Sequence, residues 1–266
     1  AGGFGLPFYL TGGLTLALDL AVVPVLPDIS DIQTPKQAQQ TGGSVRMSVL
    51  LLARSGLAVA GMLGLVTSAV GNSFLQPVLA THLQTFGLST VMIGLCFALN
   101  PIIYTLCTPA LGFLTDRLNI KELLLLISSL GCCVAFTLMG PSPFVSFLPR
   151  QLWLVVLGYV ICGVSEAGLT IPTGKCLVSG AREMGFPNDM STHGMMSGCS
   201  LSGFHFGAFV GPLLAGTLTD AVGFGRSTSI VAIIYLSTFV IFCLIFGYRY
   251  KVGHGESKRL EEASPI

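Results

Sequence analysis

Long apolar runs, separated by short polar stretches, restrict this chain more than any motif in it. Crossing the hydrocarbon core of a bilayer takes about 20 apolar residues. Seven runs come near or exceed that length: 4–26, 49–79, 91–114, 123–140, 152–173, 195–219 and 227–248. Only 9% of the residues are charged, against roughly 25% in a soluble domain, and mean hydropathy is +0.80. A soluble fold of 266 residues would need far more polar surface than this. Glycine, present 33 times, is commoner in membrane helices than in soluble ones. The spans must be helical, because an open sheet leaves backbone groups unpaired in lipid. The short alternating segments of an outer-membrane barrel are absent. The sequence therefore specifies an all-α integral membrane protein.

The runs divide the chain into a first helix over 1–26, a polar linker over 27–48, six helices over 49–248 and a charged tail over 249–266. The linker and tail are expected to be unstructured. Lys36, Arg46, Arg54, Arg117, Lys121, Lys175, Arg182, Arg249, Lys251, Lys258 and Arg259 then fall on one side of the membrane, and only Arg150 and Arg226 on the other. The positive-inside rule makes the richer side cytosolic, and with it the linker and tail. The chain opens on Ala1 rather than Met, and is expected to be a portion of a longer one.

Several function classes drop out. A net charge of +1 gives no basic field for nucleic acid. The first run is too long for a signal peptide and holds Asp19 and two prolines. The eight cysteines lie in or at the ends of apolar runs, without zinc spacing or a disulfide framework, and read as small buried hydrophobes. Four histidines are scattered without ligand spacing, and neither a nucleophile elbow nor a phosphate loop occurs. No enzyme, metal site or cofactor is indicated.

The polar residues inside the spans carry the chemistry. Glu166 sits mid-way along the fifth run, where a charge costs at least a few kcal/mol unless it faces protein or water. Helical spacing puts Tyr159, Gly163, Glu166, Thr170 and Thr173 on one face, followed by Pro172, which can loosen the helix for gating. A purely structural pairing of Glu166 with a neighbouring helix fits the same position. In the second run Ser68, Asn72 and Gln76 recur every four residues up to Pro77, as either a binding stripe or interhelical glue. The third run offers Asn100, Tyr104 and Thr108 on one face, interrupted by Pro101 and Pro109; Tyr104 can stack on a cation. The sixth run has Gly203, Gly207, Gly211, Ala215 and Thr219 at four-residue spacing, a smooth strip for close approach or sliding, with Pro212 beside it. His205 lies on another face, and Thr11, Thr15 and Asp19 line one face of the first run.

Two stretches carry a family resemblance. Gly112-Phe-Leu-Thr-Asp116-Arg117, followed by Lys121, resembles the Gly-x-x-x-Asp-Arg loop of the major facilitator superfamily in its second-half copy, with Asn119 and Ile120 where the family usually has Gly and Arg. The resemblance implies a conformational latch in a tight turn, built from Gly112, Asp116, Arg117 and Lys121. "IPTGKCLVSGAREMGFPNDMSTHGMMSG" and "GAFVGPLLAGTLTDAVGF", over 171–198 and 207–224, resemble the vesicular amine transporters and above all their polyamine branch. The stretches 74–95 and 143–154 are similar too. The resemblance places the first run at the family's sixth span and the next six in its C-terminal half.

That family alternates access to a central site between two six-helix halves. It implies proton-coupled antiport of organic cations, polyamines or monoamines, into acidic vesicles, with protons, the bilayer and a missing N-terminal half as partners. It also implies that Glu166, where the family has a carboxylate, takes part in proton coupling and cation binding with Gln76, Asn72, Tyr104, Asn100, Tyr159 and Thr170 around it. Burial disfavours the charged form of a carboxylate, so such a group can take a proton from an acidic lumen and release it to the cytosol. Gln76 and Leu201 stand where monoamine members carry acids, which removes two titrating groups. A plasma-membrane drug/proton antiporter, sharing the Asp116-Arg117 turn and the Gly211-Pro212 pair, and a truncated membrane protein without transport are the rival expectations.

Overall fold

The computed structural model describes residues 5–22, 50–118, 120–140, 149 and 151–262. The linker expected over 27–48, Asn119, Arg150 and the ends of the first apolar run lie outside these residues. The chain divides into two units, Ala1–Met47 and Ser48–Ile266.

In the first unit, α1 spans Leu6–Val22. Its 17 described residues are apolar but fewer than the about 20 typical of a crossing. Thr11 Oγ1 donates to the Phe8 carbonyl and Thr15 Oγ1 to the Thr11 carbonyl, so both hydroxyls turn back onto their own helix.

After a few helical residues at 50–52, the second unit contains, among its described residues, α2 (Gly56–Gln84), α3 (Thr90–Leu118), α4 (Lys121–Met139), α5 (Leu152–Glu183), α6 (Met190–Val222) and α7 (Phe224–Glu262). All six are long and apolar enough to cross a membrane. Every run expected in this unit forms a helix, but the ends differ from the expectation. α2 starts at Gly56, where Ser55 caps it by accepting from the Ala58 amide at 3.4 Å. α3 continues to Leu118, which moves Asp116 and Arg117 from a turn into the helix's last turn. α5 runs to Glu183 rather than ending near Thr173. α7 continues through the tail to Glu262. Hydropathy marks where hydrocarbon ends, whereas the backbone goes on pairing with itself into the polar zone. Lys, Arg and Glu are good helix formers, and propagating a helix needs no new nucleus. Gly223 then joins α6 to α7 in a single residue at φ +81°, a conformation that suits glycine.

Pro101 and Pro109, expected to break their helix, do not, and the other prolines of the spans lie inside helices too. Pro77 lies inside α2, Pro101 and Pro109 inside α3, Pro172 inside α5 and Pro212 inside α6. In an apolar medium a broken helix would strand several polar groups, whereas an embedded proline frees only its local pair.

Small residues set how the helices meet. α6 lies against α2 along Gly203, Gly207, Gly211 and Ala215, all buried. A Cβ on Gly207 would stand 2.6 Å from the Val66 carbonyl oxygen and 2.7 Å from the Ala69 Cβ. On α4 and α5, Ser128 fits against Gly168 and Ser165 against Gly131. Gly163 of α5 admits the α3 backbone, with the Asn100 carbonyl oxygen 3.0 Å from where a Cβ would sit. The buried share of each span falls from 72% in α2 and 61% in α5 to 22% in α6 and 11% in α3. Thus α2 and α5 form the centre, and α3 and α6 keep most of their surface open.

Gly207→Val should therefore overpack the α2–α6 seam and destabilise the protein by about 1–3 kcal/mol. Gly216→Ala, with open space around it, should change stability by less than about 0.5 kcal/mol. Thermal unfolding of both variants in detergent checks the contrast.

Candidate functional site

A cavity of about 620 Å³ opens among α2, α3, α5 and α6, within the roughly 300–1,000 Å³ range of small-molecule sites. Among the described residues, Glu166 is its only carboxylate, and no lysine or arginine lines it. The Glu166 side chain is 1% exposed. It is held from three helices. Asn72 Nδ2 on α2 donates to Oε2 at 3.2 Å, and Asn100 Nδ2 on α3 donates to the same oxygen at 3.3 Å. Cys162 Sγ, one turn back on α5, donates to Oε1 at 3.4 Å. Removing a carboxylate from water is costly unless donors replace the lost hydration; here three do.

The other expected site residues gather round it. Gln76 Nε2 donates to Asn72 Oδ1 at 3.3 Å, extending the chain Gln76–Asn72–Glu166. The Tyr104 hydroxyl and Thr170 Oγ1 are 3.0 Å apart, and Thr170 also donates to the Glu166 carbonyl at 2.9 Å. Tyr159 lines the wall, edge-on to Phe97 with ring centroids 6.5 Å apart. All seven residues expected at the site, Glu166, Gln76, Asn72, Tyr104, Asn100, Tyr159 and Thr170, thus line one cavity.

Sequence reasoning missed Cys162, Phe97 and Phe204. Phe97 was findable, since it lies one turn before Asn100 and Pro101 on the same face. Phe204 follows directly on the glycine strip and has no periodic partner. Cys162 read as a small hydrophobe because a thiol's hydrogen bond leaves no pattern in sequence.

Pro172 is buried within an unbroken α5, Gly203, Gly207 and Gly211 form the α2 seam, and Pro212 is exposed next to it. His205 Nδ1 pairs with the Leu201 carbonyl at 2.9 Å.

The residues expected to form a latch take separate partners at the end of the bundle where the cations cluster. Asp116 of α3 pairs with Lys175 of α5. Arg117 lies over the Phe113 ring, 4.8 Å from its centroid. Lys121 Nζ donates to Ser179 Oγ at 2.9 Å, and Gly112 has open space around it. Both members of the Asp116–Lys175 pair keep solvent access, so it is worth about 0–1 kcal/mol. A more ordered contact escaped the sequence: Arg249 of α7 grips Glu183 of α5 with both terminal nitrogens, at 2.8 and 2.7 Å. Ser55 Oγ donates to the same carboxylate at 3.5 Å, and Glu122 lies 3.8 Å from Arg249 Nε. At the entry to α6 the Thr192 amide donates to Asp189 at 2.8 Å and holds its carboxyl below the usual carboxylate range.

The family profile described as Major Facilitator Superfamily matches residues 1–188 and again 61–266. The chain belongs to the major facilitator superfamily. The two matches overlap, as expected of a family built from repeated helical units. The MFS-type transporter SLC18B1 of Mus musculus is 31% identical over 224 residues, 84% of this chain and 47% of that protein. Its Rattus norvegicus counterpart is 30% identical over 246 residues, 92% of this chain and 51% of that protein. The class C tetracycline resistance protein of Escherichia coli is 30% identical over 170 residues, 62% of this chain and 39% of that protein. The chain spans about half the length of the SLC18B1 proteins it matches. No solved structure matches.

A hydrogen bond to a charged acceptor contributes about 1.5–3 kcal/mol and is roughly twice as strong as a neutral one. Asn100→Ala should therefore destabilise the protein by about that amount at a pH where Glu166 is ionised, and by about half as much in a Glu166→Gln background. A double-mutant cycle on unfolding free energies measures the difference.

Proposed function

We propose that this chain is the C-terminal six-helix half, with one preceding helix, of a proton-coupled antiporter that loads organic cations, polyamines or monoamines, into acidic vesicles by alternating access. The observation that carries the reading is Glu166, the one carboxylate among the described residues that line a cavity walled mainly by amides, hydroxyls and aromatic rings. Its likeness to the SLC18B1 transporters over most of its length supports the same reading.

The mechanism needs one negative charge with two exclusive occupants. Ionised Glu166 attracts an ammonium group, while Phe97, Tyr104, Tyr159 and Phe204 offer ring faces to a cation. Asn72 and Asn100 hold the carboxylate in place for it. When the cavity faces an acidic lumen, a proton adds to Glu166, the attraction ends and the cation leaves. When it faces the cytosol, the proton departs and a new cation can bind. α3 and α6, the helices with the most open surface, both contribute to the cavity wall, and the N-terminal half is proposed to close it from their side.

A drug/proton antiporter at the plasma membrane is the second reading. It is favoured by the likeness to the tetracycline resistance protein and to the Multidrug resistance protein MdtG of Serratia proteamaculans, 27% identical over 184 residues, 67% of this chain and 41% of that protein. The same carboxylate would serve, with a different membrane and substrate.

The test is uptake of a panel of amines by the full-length transporter in proteoliposomes with an acidic interior. The parent should accumulate amine until the pH gradient is collapsed, and Glu166→Gln should fall to background. Undiminished transport by that variant would refute the mechanism. Extrusion from whole cells without vesicular uptake would favour the second reading.

A further inference from the structure

The hydrogen bonds around Glu166 have directions, and those directions decide what the cavity offers to a ligand. An ionised carboxylate accepts and never donates. Asn72 therefore gives its Nδ2 to Glu166 Oε2 and turns its Oδ1 the other way, and Gln76 meets that Oδ1 with its own Nε2. What Gln76 keeps for the cavity it lines is its carbonyl oxygen, an acceptor. The charge at one end of the chain sets which atom stands at the other.

A second chain ends the same way. Thr170 Oγ1 donates to the Glu166 carbonyl at 2.9 Å and lies 3.0 Å from the Tyr104 hydroxyl. A hydroxyl has one hydrogen. With that of Thr170 given to the carbonyl, Tyr104 donates to Thr170 and its phenol oxygen keeps a lone pair at the cavity wall. An ammonium only donates, so this is also the arrangement in which the Tyr104 oxygen can hold one.

The two acceptors flank the carboxylate. α2 and α5 run in opposite senses, since Ala58 lies against Gly180, Gly61 against Cys176, and Asn72 pairs with Glu166. Gln76, one turn beyond Asn72, is therefore displaced towards the start of α5. Tyr104 and Thr170, one turn beyond Asn100 and Glu166, are displaced towards its end. Four helical residues rise about 6 Å, so acceptor, carboxylate and acceptor step along the bundle at roughly that interval. Phe97, Tyr159 and Phe204 add ring faces to the same cavity. A ring holds a quaternary ammonium as well as one bearing N–H. An acceptor does not, because a nitrogen with four carbon substituents has no hydrogen to give.

We propose that Gln76 and Tyr104 are specificity-determining residues that read the N–H groups of the substrate. The site selects elongated cations that carry further N–H groups beside the one held by Glu166, over cations of the same charge whose nitrogens are fully methylated. This inference rests on Glu166 being the cation site of the proposed antiport.

Uptake by the full-length transporter in proteoliposomes with an acidic interior tests it, with 1,4-diaminobutane and its fully N-methylated analogue as probes. The two share charge and carbon chain and differ in N–H groups. The parent should take up the diamine with a KM lower by about tenfold or more, the equivalent of one hydrogen bond to a charged group. Gln76→Leu and Tyr104→Phe should each narrow that gap several-fold by raising the KM of the diamine. Bulk alone can exclude methyl groups, but a gap set by bulk would not close when an acceptor is removed. Equal KM values in the parent, or a gap that a folded variant leaves untouched, would overturn the proposal. If one variant does not fold, the other gives the same readout. Binding of both cations to the purified transporter, read as protection against thermal unfolding, repeats the comparison without transport. Discrimination in binding without uptake would defeat the transport reading alone. Uptake without discrimination would defeat the specificity inference alone.

Discussion

One carboxylate in an apolar interior organises this helical bundle. Glu166 has almost no contact with solvent, and a charge so placed is tolerated only where fixed dipoles replace water. The donors come from three helices, so the group that most needs company also pins α2 and α3 to α5. For α3 this matters most. It packs chiefly on α5 and leaves most of its surface open, with Gly163 letting the backbones approach and the Tyr104–Thr170 pair one turn beyond the Asn100–Glu166 bond. Each bond to the carboxylate is stronger when it is ionised than when it is neutral. The hold on the least buried helix therefore varies with the charge of Glu166.

The rest of the bundle is built to resist such changes. Glycines on α6 sink into α2, serines on α4 and α5 fit against glycines across the seam, and Arg249 ties α7 to α5 with a two-pronged grip on Glu183. Membrane helices gain nothing from hiding apolar surface from lipid, so close van der Waals contact and a few polar ties must hold them. Such seams shift as blocks rather than deform. A bundle of this kind suits a part that rocks as one body while a single site changes its charge.

Composition and the length of the apolar runs made the six spans of the second unit legible, because hydrocarbon thickness leaves little choice. The cavity wall was legible for a related reason: a polar side chain inside a span is rare enough that helical spacing alone aligns Asn72 with Gln76, Asn100 with Tyr104, and Glu166 with Thr170. Helix ends were not. Hydropathy falls at the membrane surface while α3 and α5 continue beyond it, so Asp116 and Arg117 proved helical. Pro101 and Pro109 misled because their effect in water, where a freed carbonyl finds a new partner, does not carry over to lipid. Cys162 and the Arg249–Glu183 grip were hidden for opposite reasons. A thiol looks apolar in sequence, and residues 66 positions apart meet only after the chain has folded.

The cavity itself argues about what stands opposite. Asn72 and Gln76 are exposed within it, on a helix whose other faces are deeply buried. If lipid tails filled that space, the amide hydrogens and oxygens not already paired with Glu166 or with each other would lose water and gain no partner, at roughly 1–3 kcal/mol or more for each group. Lipid can cover the outward leucines and valines of α4 and α7 at no such cost, but the amides, hydroxyls and carboxylate that share the cavity wall with aromatic rings are costly for it to cover. The surface facing that wall would have to offer water or polar groups of its own, which the proposed second set of helices would supply and a bilayer would not. The chemistry of the cavity wall thus supports the proposed half-transporter reading beside the likeness to known proteins.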